Sequence, residues 1–116
     1  MAPAAAGGFE LSGEGGRFRL AGCFGFETAA GVLARGDHLY RAHPAVEVDL
    51  SGVTDADSAG LAVLLAWIER ARRRGHTLRF VGIPSQLAGI ARITDVEPLL
   101  RAAERTQAPG GVSAAG

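Results

Sequence analysis

A chain of 116 residues, 47% hydrophobic and 21% charged, has the length and composition of one folded domain with one core. Its formal net charge is zero, which excludes recruitment of nucleic acid or anionic lipid by the field of the whole molecule. A lone Cys23 excludes an internal disulfide, and between Gly22 and Phe24 it is expected to be a small buried hydrophobe.

The same composition narrows the chemistry. His38, His43 and His76 are scattered without metal-ligand spacing, so neither a metal nor a cofactor is expected. The opening MAPAAAGG lacks a basic region and a long apolar run, and is not expected to be a signal peptide. The longest apolar stretch, LAVLLAWI, is far short of the ~20 residues of a membrane span, so a cytoplasmic protein is expected.

Residues 1–8 and 102–116 are rich in Ala, Gly and Pro and carry little apolar bulk to offset the entropy of ordering. Both are expected to be disordered tails around a domain at 9–101. FELSGEGGRFRLAG alternates Phe9 and Leu11, then Phe18 and Leu20, about a Gly-rich turn, which predicts a hairpin. No helix opens directly after that turn and no Lys-Ser/Thr follows, so it is not a phosphate loop.

From Glu27 to Arg41, Ala29, Val32, Leu33, Gly36 and Tyr40 recur at helical spacing. Pro44 ends that pattern, and AVEVDLSG follows as a strand with Val46, Val48 and Leu50 in period two. A second helix is expected from about Ser58 to Arg74, closed by Gly75. HTLRFVGI is the next strand. PSQLAGIARI is a helix with Pro84 at its first turn, turning Leu87, Ile90 and Ala91 inward, and DVEPLL closes the domain. The order β-β-α-β-α-β-α requires crossovers and partly parallel pairing, an α/β domain with a mixed sheet.

Within the second helix, Leu61, Leu64, Leu65, Ile68 and Ala71 fall in one arc, expected to face the core. Ala59, Val63, Ala66, Trp67, Arg70 and Arg74 share the opposite arc. Trp and Arg dominate protein interfaces and small neighbours admit a partner backbone, so this arc is expected to be a docking face, the other reading being that Trp67 tucks into a loop of its own domain. Its basic end, Arg70 with Arg72 to Arg74, also suits the negative end of a helix dipole. Asp55, Asp57 and Ser58 precede the helix. They fit helix capping, and they also fit an accessible hydroxyl, because Ala56, Ala59 and Gly60 leave Ser58 uncovered. Catalysis is not expected: no His lies near Ser58 in sequence, and there is no P-loop or dinucleotide fingerprint.

The stretch V-E-V-D-L-S-G-V-T-D-A-D-S-A-G-L-A-V-L-L resembles the signature of STAS domains, in which an apolar strand ends in D-L-S and a loop with D-S/T-x-G-L opens a helix. The resemblance implies the STAS, SpoIIAA-like fold: a mixed four- to five-stranded sheet with helices packed mainly on one face. W-I-E-R-A-R-R-R-G-H-T-L-R-F-V-G-I-P-S-Q-L-A-G-I-A-R-I is most similar to the small stand-alone STAS subunits of Mla-type phospholipid transporters.

That likeness implies a non-catalytic subunit, peripheral to the inner membrane, that supports the cytoplasmic ATPase of an ABC transporter maintaining outer-membrane lipid asymmetry. The residues implied for partner binding are Asp57, Ser58, Ala59, Gly60, Val63, Trp67 and Arg70. The alternative branch implies a phospho-regulated anti-sigma factor antagonist that binds a serine-kinase anti-sigma factor through Ser58. Ala59 and Ala62 depart from that branch, which has a hydroxyl residue and a glycine at these positions.

Overall fold

The computed structural model describes residues 8–103, and the expectations for 1–7 and 104–116 lie outside the described residues. The chain runs β1 (Phe9–Glu14), β2 (Arg17–Phe24), α1 (Ala29–Tyr40), β3 (Ala45–Ala56), α2 (Ser58–Arg74), β4 (Thr77–Val81), α3 (Ser85–Ile93) and α4 (Glu97–Ala103). β1 and β2 form the expected hairpin, with Glu14 opposite Arg17 across a two-residue turn. Gly15 and Gly16 both have positive φ, 63° and 83°, the conformation that matches a tight hairpin turn to strand twist.

The sheet has four strands in the order β1-β2-β3-β4. β1 is antiparallel to β2, and β2–β3 and β3–β4 are parallel, so α1 and α2 are crossover helices. β3 is longer than the eight residues of its alternating pattern. It continues through Ala56 because Gly52 to Ala56 go on pairing with Ala21 to Phe24, past two register shifts at which β3 carries an extra residue.

Side-chain alternation sets the layers. Leu11, Phe18, Leu20, Val46, Val48, Leu50, Leu78 and Phe80 are buried on one face of the sheet. On the other face one register row reads Glu14, Arg17, Glu47, Arg79 across all four strands, alternating in sign. A face of compensated charge stays in water, and the helices collect on the apolar side.

α2 is the central helix, touching α1 on one flank and α3 and α4 on the other. Leu61 and Leu64 are buried as expected, and Leu65, Ile68 and Ala71 pack partly buried against the core. Val63 and Trp67 correct the sequence reading: they are 4% and 2% exposed and belong to the core.

The reason lies in α1. An added Cβ at Gly36 would stand 2.3 Å from Trp67 Cζ2, so the absent side chain is the space that the indole occupies. Tyr40, one turn further along α1, meets the indole edge-on at 4.9 Å, and Phe24 stacks near it at 6.4 Å. The buried indole N–H and the Tyr40 hydroxyl have no hydrogen-bond partner among the described residues, and burial pushes the Tyr40 pKa far up.

At its far end α2 is held by polar groups. Arg70 pairs with Asp37 of α1, Glu69 takes both Arg72 and Arg73, and Gly75 ends the helix at φ 71°. The two arginines hold the Glu69 carboxyl below its ordinary range. Past β4, Pro84 is the extended N-cap just before α3, one place ahead of the first turn expected for it, and α3 buries Leu87 and Ala91. DVEPLL contributes a fourth helix. Ala102 and Ala103, expected in the tail, complete α4, and Ala103 is buried.

Candidate functional site: the start of the central helix and the loop beside it

Parallel strands β2 and β3 end side by side, with Phe24 opposite Ala56, so the segments that follow them meet at one end of the sheet. One is the β2–α1 loop, Gly25 to Thr28. The other is Asp57 and the first turn of α2. This is the crevice beyond the carboxyl ends of parallel strands, where α/β folds commonly place their sites.

Asp57 joins the two segments. Its backbone is extended and its Oδ1 accepts the Ala59 N–H at 2.8 Å, which makes Asp57 the N-cap of α2. Its Oδ2 accepts the Phe26 N–H at 3.0 Å, thirty-one residues away in sequence. The Phe26 N–H is the main cause of a carboxyl pKa below the usual aspartate range. The Ala59 and Gly60 N–H groups act in the same direction and desolvation opposes them.

The β2–α1 loop is fixed from within as well. Thr28, only 6% exposed, donates its hydroxyl to the Cys23 carbonyl at 3.0 Å and accepts the Gly25 N–H at 3.1 Å. The Thr28 and Ala29 N–H groups both return to the Gly25 carbonyl. A loop bonded this closely holds its backbone while the side chains of Phe26 and Glu27 stand exposed.

Ser58 is the first residue of α2 and is exposed. Asp57 supplies the cap, so capping does not consume the Ser58 hydroxyl. Ala59 beside it is half-buried and Ala62, one turn on, is exposed. Both Asp57 oxygens are engaged by backbone N–H groups, so this carboxylate is no base for Ser58. The arrangement presents a hydroxyl; it does not activate one.

The remaining expected site residues do not add to this exposed surface. Gly60 is buried, and a Cβ there would stand 2.3 Å from the Phe24 carbonyl oxygen, so it lets α2 seat against β2. Val63 and Trp67 are internal, and Arg70 sits about 18 Å along the helix from Ser58, paired with Asp37. The expected continuous face from Ser58 to Arg70 therefore does not exist. The solvent side of α2 is instead the line of Ala62, Ala66, Glu69 and Arg73.

Phe26 and Thr28 were not singled out in the sequence. Phe26 is 83% exposed at the tip of the β2–α1 loop. In F-G-F-E-T it lies two residues from the fully buried Phe24, which in a strand would put both on one face. β2 stops at Phe24, and the turn sends Phe26 outward. Beside it lies an open depression of about 300 Å³, lined by Cys23, Glu27, Asp55 and Asp57 among others. Cys23 is free and half-buried. Among the described residues no group of His, Cys, Asp and Glu is placed to hold a metal, and no helix is long and apolar enough to cross a membrane.

Comparison with known proteins places this geometry. Residues 8–101 match the family model described as "Mlab, STAS domain". Among solved structures, the anti-sigma factor antagonist SpoIIAA in its unphosphorylated form is 12% identical over 85% of this chain and 89% of its own, with a TM-score of 0.64. An anti-sigma factor antagonist from Mycobacterium paratuberculosis is 20% identical over 78% and 80%, with a TM-score of 0.57. The SulP transporter STAS domain from Vibrio cholerae is 18% identical over 74% and 68%, with a TM-score of 0.53. No curated protein matches the chain. At these identities the neighbours share the fold alone, whereas the family model spans the whole sheet and nearly all of the helices: the chain belongs to the STAS-domain family.

Proposed function

We propose that this STAS domain is a non-catalytic subunit that docks on the cytoplasmic ATPase of an Mla-type phospholipid ABC transporter and supports its assembly and activity. The observation that carries the reading is Ser58, which is exposed in the first turn of α2 while Asp57 fixes that turn to the β2–α1 loop. A rigid platform with an uncovered hydroxyl and small neighbours suits close docking of a protein surface. The family model's description lends support from the sequence side. The docking residues are Asp57, Ser58 and Ala59 with the β2–α1 loop, while Gly60, Val63, Trp67 and Arg70 build the helix that carries them.

Co-expression with the transporter ATPase tests the reading. A stable complex is expected, together with lower ATPase activity when this chain is omitted. Failure to co-purify, or activity indifferent to the chain, counts against it. Ser58→Asp is expected to break the complex by burying an unpaired charge.

A second reading draws on the same exposed Ser58. As a phospho-regulated anti-sigma factor antagonist, the chain would bind a serine-kinase anti-sigma factor and be released by phosphorylation of Ser58. Incubation with such a kinase and ATP would then add the mass of one phosphoryl group, and Ser58→Ala would abolish the gain.

A further inference from the structure

Phe26 is one of three large hydrophobic side chains that stand exposed among the described residues, with Ile93 and Leu99. It alone of these belongs to the β2–α1 loop beside Ser58. Its exposure is not the result of a loose loop. The Phe26 N–H is held by Asp57, and the turn around it is closed by the Thr28 hydroxyl and two bonds to the Gly25 carbonyl. An aromatic ring on a fixed backbone loses little freedom on binding, which is the property of an interface anchor.

The surroundings select the partner. Glu27 and Asp55 are exposed and, with Asp57, line the depression next to the ring. The ring therefore stands in an acidic neighbourhood on a chain of zero net charge.

We propose that Phe26 is the anchor of the docking surface, and that its occupant is a partner protein offering an apolar pocket edged by Lys or Arg. The inference rests on the reading of the chain as an ATPase-binding subunit, and it names the contact that supplies affinity where Ser58 supplies fit. The acidic groups steer the encounter and reject partners with an acidic edge.

The test is the affinity of the full chain for the ATPase, measured for wild type, Phe26→Ala, Phe26→Trp, Ser58→Asp and the double variant E27K/D55K. Burying one phenyl ring predicts ~10- to 100-fold weaker binding for Phe26→Ala. Phe26→Trp is expected to retain affinity, and E27K/D55K to weaken binding and flatten its salt dependence. The melting temperature of Phe26→Ala should match wild type, because the ring touches little of its own domain. If Phe26→Ala binds within twofold of wild type while Ser58→Asp does not bind, the anchor is refuted and the ATPase reading stands. If wild type itself does not bind, both fall. A homodimer that dissolves in Phe26→Ala would also overturn the proposal, since the ring would then serve a second copy of this chain.

Discussion

The two ends of α2 are built for different work. At the start, Ser58 is open to solvent, Ala62 follows it on the outer side, and one carboxylate ties the helix to a loop that carries an exposed Phe26. From Leu61 onward the helix turns its large side chains inward, Trp67 fills the space left by Gly36, and Arg70 is paired to α1. One helix thus separates recognition from stability along its length. Trp and Arg are strong interface residues in general, yet here they serve the fold. Ser58 and Ala62, both exposed, are left available to a partner.

Substitutions at the two ends should therefore fail in opposite ways. The largest effect belongs to Trp67: Trp67→Ala is expected to cost about 3–5 kcal/mol of folding stability, and Trp67→Asp to prevent folding. Denaturant unfolding checks this, and near-normal stability would return the indole to the surface. Gly36→Leu places side-chain atoms where the indole lies and should cost about 1–3 kcal/mol by overpacking, also visible in denaturant unfolding. Asp57→Ala removes a cap and the link to Phe26. It should cost ~1 kcal/mol in thermal unfolding and raise hydrogen exchange at the Phe26 amide. The smallest effect is at Arg70, whose ion pair is partly exposed: Arg70→Gln should change stability by less than ~1 kcal/mol.

Acid acts on the start of α2 through Asp57. The Asp57 carboxyl is held below its ordinary range, so its contribution to stability is present above the unfolded value of about 4 and is lost as pH falls through the lower folded value. Asp57→Asn should remove part of the acid-induced loss expected below about pH 4. Melting temperatures across that range check the difference, and Asp49 and Glu69, also held low, account for part of what remains.

Periodic signals carried the fold. Alternation found the hairpin strands, β3 and β4, and Gly75 and Pro84 marked a helix end and a helix start where the structure has them. Two features escaped that logic. The arc of α2 that faces the core is wider than one sheet-facing stripe, because the helix packs on the sheet and on α1 together, and the vacancy at Gly36 that admits Trp67 is a property of two helices at once. The link from Asp57 to Phe26 spans thirty-one residues and depends on β2 and β3 ending side by side. Local sequence reports that Asp57 suits a cap. It holds no record of the second carboxylate oxygen's partner, nor of the outward turn after Phe24.

Hydrogen exchange of the full chain, alone and with the transporter ATPase, tests the division of α2 most directly. Binding is expected to protect amides at Gly25 to Thr28 and in the first turn of α2 from Ser58, and to leave those from Arg70 to Arg74 unchanged. Protection concentrated at the arginine-rich end, with the start of the helix unaffected, would contradict the account.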